Sequence, residues 1–359
     1  MAYVAARGGE QAIQNAETFF HLLKAPLKPE TIRIIEENLP YLIDRVMGEG
    51  SLYAPELAAL AVAQTGGDLY EATLLLRSYR STQPRIAYAE AVSQENILTV
   101  RRISAAFKDI PGGQILGPTL DYSHRVLKLD ALGQAAKSET LKPSFNATPA
   151  TQPALADWQR QQGLLTKIQA QQGDMSDLPD VTREPMLFPA PRAQRLQSLA
   201  RAETGGLLSF AYTHMRGYGT VHPTVNEVRL GYADVMVKHP VTGVTFSAGR
   251  VRVSQGEVVT PFSDKADDTE PQLGIGFTAT LGWNEVKVIS GAMLDMAMNE
   301  GADHPMSNDE FILEHTESVE ASGFCIHYKL PHYVTFQSSL EAMRKVSKGK
   351  ETVEAEVTS

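Results

Sequence analysis

Two histidines near the end of the chain, His327 and His332, stand five residues apart astride Pro331 in the stretch GFCIHYKLPHYVTFQ. Neutral imidazole is a good zinc ligand, but zinc takes three or four N, S or O donors, so two rings supply half a site. Five apart on one helix, the side chains would diverge by about 140°. Pro331 breaks a helix in any case, so Lys329 and Leu330 are expected to be extended or in a turn, and a tight turn could bring both rings together. Cys325, the one cysteine of the chain, would share the face of His327 on a strand and could be a third ligand. The competing reading of that thiol is a small buried hydrophobe.

A second constellation lies in FKDIPGGQILGPTLDYSHR, residues 107–125. Gly112 and Gly113 follow a proline and let backbone N–H groups approach a ligand closely, as in concave anion-binding turns. Lys108, Asp109, Tyr122, His124 and Arg125 bracket the turn with groups suited to phosphate or sugar, and a plain surface turn is the alternative. A third is HMRGYGTVHPTVNEVRLGY, residues 214–232, where Arg216 and His222 mark either a binding loop or a structural one. No G-x-S-x-G elbow and no H-E-x-x-H occur, and PGGQILGP lacks the Lys-Ser or Lys-Thr of a phosphate loop. Gly274, Gly276 and Gly282 miss the dinucleotide-binding spacing and read as bulge or turn residues.

The chain that must position these groups has 359 residues, 43% hydrophobic and 21% charged, enough for two domains with real cores. Its longest apolar runs, such as ELAALAVA, are too short to span a bilayer. The opening MAYVAARGGEQ has no basic-then-apolar export pattern, and one cysteine suits a reducing cytoplasm. A net charge of −9 gives no general footprint for nucleic acid, so a polyanion would need a local cluster. Arg77 to Lys108, with Arg80, Arg85, Arg101 and Arg102, is such a cluster, or else a solvated helix face paired with Glu90 and Glu95.

Residues 1–130 read as mostly helical. Ala12, Ile13, Ala16, Phe19, Phe20 and Leu23 keep helical spacing, Pro29 opens a second helix, and Pro40 kinks or ends it. Asp68 caps the clearest helix, with Ala72, Leu75, Leu76 and Tyr79 on one face. Residues 131–190 are rich in Ala, Gln, Pro, Ser and Thr and read as a linker with a short helix at 158–168. From 191 to 342 a helix over 193–202 precedes strands in EVRLGYADVMV, GVTFSAGRVRVSQGEV and QLGIGFTATLG, the first with a bulge before Val235. Asn284 caps a helix to about Asn299, and Ser307 with Glu310 boxes another that stops at Gly323. Residues 343–359 are a polar tail. The pattern predicts an α+β fold with a largely antiparallel sheet and flanking helices.

In order along the chain, YVAARGGEQAI, DRVMGEG, ELAALA, RRISAAFKDIPGGQILGPTLDYSHR, RGYGTVHP, EVRLGY and VEASGFCIHYKLPHYVTFQ closely resemble the I subunit family of the bacterial carbon–phosphorus lyase core complex. The resemblance weakens over 131–190 and is absent from the tail. It implies a transferase subunit that, with G, H and J partners and the L subunit, displaces adenine from ATP by methylphosphonate to give α-D-ribose 1-methylphosphonate 5-triphosphate. Alone, the family is implied to act as a purine nucleosidase on ATP or GTP. Two copies per core are implied, with ATP-binding-cassette-type K and L proteins and with Mg²⁺ on the triphosphate. Carried onto this sequence, the family's zinc-binding pair at the J contact is His327 and His332, so the remaining ligands belong to another chain. Displacing a purine needs an acid at the leaving group and charge stabilisation at the ribose. The residues expected to provide them are Asp109 and His124, with Lys108, Gly112, Gly113, Arg216 and His222 binding substrate. Asp44, Glu49 and Asp121 are further carboxylates in the resembling stretches. The alternative is a scaffold that only lends half a zinc site to the J-type subunit.

Overall fold

The computed structural model describes residues 9–133, 152–165, 178–218, 222–261, 272–301, 303–329 and 332–357. Contacts divide the chain into two units, one of residues 27–319 and one of residues 1–26 with 320–359.

In the larger unit, helices α2 (Pro29–Asn38), α3 (Pro40–Gly50), α4 (Pro55–Gln64) and α5 (Leu69–Ser81) pack around Ile43, Val46, Met47, Ala58, Val62, Ala72 and Leu76. Three of the four open on proline, whose missing N–H costs nothing in a first turn. Pro40 starts α3 rather than only ending α2. Asp68 caps α5, its carboxylate accepting from the N–H groups of Tyr70 and Glu71.

Strands β1 (Leu98–Ile103), β2 (Thr224–Lys238), β3 (Thr245–Thr260) and β4 (Gly274–Leu281) form one antiparallel sheet in that order. The expected slip before Val235 falls between Val235 and Met236, and a second lies between Val225 and Glu227. The stretch expected to be mostly helical thus contributes an edge strand. Arg101 and Arg102 fill buried positions in β1, so its apolar alternation is hidden.

Helix α9 (Glu285–Glu300) crosses one face of the sheet, and α7 (Arg192–Arg201), α8 (Thr204–Thr213) and α10 (Asp309–His315) complete a core of Leu199, Leu207, Ala211, Leu294, Met298 and Ile312. Gly276 lies in regular register rather than at a bulge, and a Cβ there would fall on the carbonyl oxygen of Ala292. Its lack of a side chain lets α9 approach the strand. Gly282 has φ +79° in the turn after β4, as expected of it.

The other face carries buried charge. Glu227 pairs with Arg102 and Arg229, and Asn226 and Gln94 donate to Glu257. Helix α6 (Leu155–Gln161) covers them: Gln159 bonds Asn226, and the Leu155 N–H donates to Glu227. This helix starts and ends earlier than the 158–168 expected.

The smaller unit holds α1 (Gly9–Leu23), most of α11 (Ser318–Lys329) and α12 (Tyr333–Val357). Helix α10 begins one residue after Asn308, which caps it in place of Ser307, and Gly323 lies inside α11 instead of ending a helix.

Candidate active site

The end of α3 is pulled into the core by Ile43, Val46 and Met47, and this carries Asp44 and Glu49 inside with them. Glu49 Oε1 accepts from the Thr204 N–H at 3.0 Å, the Thr204 hydroxyl at 2.9 Å and Arg45 Nε at 3.0 Å. Glu203, next to Thr204, caps α8 by accepting from the N–H groups of Gly205 and Gly206, and it also pairs with Arg45 Nη2. Asn284 joins the same node, donating to Thr204 Oγ1 at 3.0 Å while its own Oδ1 caps α9.

Lys287, one turn into α9, is 1% exposed, and its Nζ has no hydrogen-bond partner among the described residues. Burial pulls its pKa down to about 8, against the opposing field of Glu49. An ammonium in this state holds a proton at neutral pH but releases it far more readily than a surface lysine does.

Asp44 accepts from the Trp283 N–H at 2.9 Å, and its other oxygen lies 2.8 Å from Arg252 Nη2. Burial raises its pKa in spite of both partners. Trp283 is fixed edge-on to Tyr232 at 5.5 Å with Arg252 over its ring. Toward solvent, Arg45 keeps 30% of its side chain exposed and Tyr70 is 47% exposed. The negative field of Glu203, followed by burial, raises the Tyr70 phenol pKa. From surface to interior the groups therefore run Tyr70 and Arg45, Glu203 and Glu49, then Lys287. Such a set can hold a proton, offer a carboxylate to a developing positive charge and exclude water.

The residues singled out from sequence fall elsewhere. Lys108, Asp109, Gly112 and Gly113 are exposed, and no hydrogen bond or ion pair among the described residues joins Asp109 to His124, which is also exposed. Gly112 and Gly113 do take positive φ, 83° and 77°. However, the turn directs carbonyls inward: Arg102 Nη1 donates to Pro111 O and Gly113 O at 2.6 and 3.1 Å. A Cβ on Gly112 would strike the Gln152 side chain. Arg216 lies over the Tyr212 ring at 5.7 Å on a π-turn, His214–Tyr218, and His222 is exposed just before β2. Gly219 of the RGYG stretch lies outside the described residues.

Of the arginines of 77–108, Arg80 donates to the Thr182 hydroxyl and the other four are ion-paired, but not with Glu90 or Glu95. Arg77 meets Glu317, Arg85 meets Asp180, Arg101 meets Glu285 and Asp121, and Arg102 meets Glu227. These partners come from distant elements, so the pairing could not be read from local spacing. Sequence reading weighed Asp44 and Glu49 but missed Arg45, Glu203 and Lys287. Lys287 occupies a buried position in α9, where a core residue would be expected.

His327 lies in the last turn of α11, which runs on through Lys329 where an extended or turn conformation was expected, and His332 immediately precedes α12. Their ring centroids are 5.2 Å apart and perpendicular, and Leu330 and Pro331 lie outside the described residues. Two imidazoles at a tetrahedral angle around an ion, with Zn–N of about 2.0–2.1 Å, would set their centroids about 5 Å apart. The observed centroid spacing matches that separation. No third His, Cys, Asp or Glu joins it among the described residues. Cys325 is on a helix, not a strand, so it points about 200° around the axis from His327. It is exposed rather than a buried hydrophobe.

Over residues 2–350 the chain matches the model of the family described as bacterial phosphonate metabolism protein (PhnI). It is 44% identical to the putative C-P lyase subunit protein HtxH of Stutzerimonas stutzeri, over 96% of this chain and 95% of that protein. It is 39% identical to alpha-D-ribose 1-methylphosphonate 5-triphosphate synthase subunit PhnI of Rhizobium meliloti (strain 1021), over 98% of this chain and 97% of that protein. The subunit of the same name from Escherichia coli (strain K12) is also 39% identical, over 96% and 98%. With near-complete coverage on both sides, the chain belongs to the PhnI family of bacterial phosphonate metabolism proteins.

Proposed function

We propose that this chain is the glycosyl-transferring subunit of a carbon–phosphorus lyase complex, acting on a purine nucleoside triphosphate. The names of the two synthase relatives support the product class, and the buried Lys287 beside Glu49 and Glu203 carries the placement of the chemistry. In the reaction the C1′–N9 bond breaks and its electron pair leaves with the purine, which takes up a proton. A phosphonate oxygen, or water in the nucleosidase reaction of the isolated chain, forms the new bond to C1′. Glu49 and Glu203 supply the negative field opposite the oxocarbenium-like centre, and Lys287 holds the mobile proton. Mg²⁺ arrives with ATP or GTP as part of the substrate.

His327 and His332 are proposed to hold half of a zinc site completed by a J-type partner, since their geometry suits an ion and two donors leave it open. When bound, zinc would supply a Lewis-acidic centre at the shared surface. Tyr328 and Tyr333, 77% and 74% exposed beside these ligands, suit a partner contact. The G and H subunits and the K and L proteins complete the proposed assembly, which would work in the cytoplasm; no described helix is long and apolar enough to cross a membrane.

Purine release from ATP and GTP by the full chain tests the placement. Glu49→Gln and Lys287→Met should each lower kcat at least 100-fold, while Asp109→Ala and His124→Ala stay within twofold. The opposite pattern moves the chemistry to the Gly112–Gly113 turn.

A further inference from the structure

Behind Glu49 lies a group of arginines larger than its ion pairs require. Arg77 and Arg80 come from α5, Arg85 follows it, Arg201 ends α7, and Arg183 lies in the loop after Pro179. All but Arg183 are tied to that loop or to each other. Arg80 Nη2 donates to Thr182 Oγ1 at 2.7 Å, Arg201 Nη1 to Val181 O at 3.1 Å, and Arg77 Nη2 to Arg201 O at 3.1 Å. Arg85 pairs with Asp180 at 2.7 Å. Arg77 Nε also donates to the Glu49 carbonyl at 2.8 Å, so the group is continuous with the candidate active site.

The charge does not balance. Around Arg80, Arg85, Arg77 and Arg183 act against Asp180; around Arg201, Arg77 and Arg80 act against Glu317 and Asp180. Burial and then arginine repulsion lower the pKa of both, that of Arg201 to about 10. Arg201 Nε is buried with no hydrogen-bond partner among the described residues. Guanidinium is the side chain best matched to phosphate, and a cluster of like charges this close is stabilised by a multivalent anion.

We infer that Arg77, Arg80, Arg183 and Arg201 bind a phosphate chain. On the function proposed above, this is the triphosphate tail of the nucleotide whose ribose reaches Glu49 and Lys287. Asp180 then occupies part of the cradle that the anion would share.

Inorganic tripolyphosphate titrated calorimetrically into the full chain tests this. The wild type should bind with an affinity that falls steeply with salt. Arg80→Gln and Arg183→Gln should each weaken binding at least fivefold, and Asp180→Asn should tighten it. Arg183 is exposed, so its variant reads binding without threatening the fold. Arg250→Gln, on an exposed pair with Asp234, should bind as wild type. No binding to the wild type at millimolar concentration, or wild-type affinity in both Arg80→Gln and Arg183→Gln, overturns the inference. Purine release separates it from the reading beneath it. Arginine-dependent tripolyphosphate binding in a chain that releases no purine keeps the anion site and removes the glycosyl chemistry. Where purine is released, a KM for ATP that rises in step with the tripolyphosphate Kd assigns the site to the nucleotide. An unchanged KM assigns it to free polyphosphate.

Discussion

Lys287→Met should make the protein more stable and less active. The buried ammonium has its pKa pulled from 10.5 to about 8 by burial, so the folded chain binds this proton less tightly than the unfolded chain. The charged form therefore destabilises the fold at and below pH 8, and the cost is relieved as pH rises from about 8 toward 10.5. At 1.36 kcal/mol per pKa unit, the shift amounts to about 3 kcal/mol at pH 7 and about 1 kcal/mol at pH 9.5. Methionine is close in volume and costs less than about 1.5 kcal/mol where it fits. Urea unfolding should then show the variant about 2 kcal/mol more stable than wild type at pH 7, with the advantage shrinking at pH 9.5. Activity should be lost over the same comparison, because stability withheld at a working residue is a common trade. A variant that is less stable than wild type at pH 7, with a difference that does not change with pH, would refute the reasoning. It would mean that Lys287 is satisfied in the folded chain and forms part of the core.

His332→Ala should leave the thermal unfolding of the isolated chain within about 0.5 kcal/mol, because the side chain is exposed, yet abolish zinc retention in the complex as read by metal analysis. Tyr333→Ala should weaken co-purification with the J-type partner by roughly 1–3 kcal/mol without lowering the melting temperature. Gly276→Ala should destabilise by about 3 kcal/mol or more, since a Cβ meets the α9 backbone; denaturant unfolding reads it, and a near-neutral result would show that α9 can move away.

The fold was legible where local chemistry speaks. Asp68 and Asn284 announced the starts of α5 and α9, and alternation in EVRLGYADVMV and QLGIGFTATLG announced β2 and β4. It was illegible where tertiary pairing overrides composition. LTVRRI places two arginines in a sheet core, tolerable only because Glu227, Glu285 and Asp121 arrive from far along the chain. The approach of the His327 and His332 rings could be read because the two residues are close in sequence. The candidate active site could not, because Glu49, Glu203 and Lys287 are widely separated along the chain. At the PGG turn glycine reports that backbone approaches something closely without naming it, and the neighbour of its carbonyls is the Arg102 guanidinium.

The β2–β3 ribbon has a further consequence. Residues 254–260 of β3 are buried between α9 and the charged face, while 245–250 are exposed and carry Phe246 out with them, near Val244 of the connecting turn. Beyond the core the ribbon is held by cross-strand contacts and by Ala89 and Glu90, which bridge Val237 and bond Met236 and Thr245 from the surface, so its opening is cheaper than global unfolding. One continuous strand should therefore show two classes of amide, exchanging with solvent within seconds near Thr245 and only on global unfolding near Val258. Selection on the outer half is then released from the demands of the core. That stretch is free to change in sequence or conformation, and to order against another surface, without registering in the stability of the sheet that roots it.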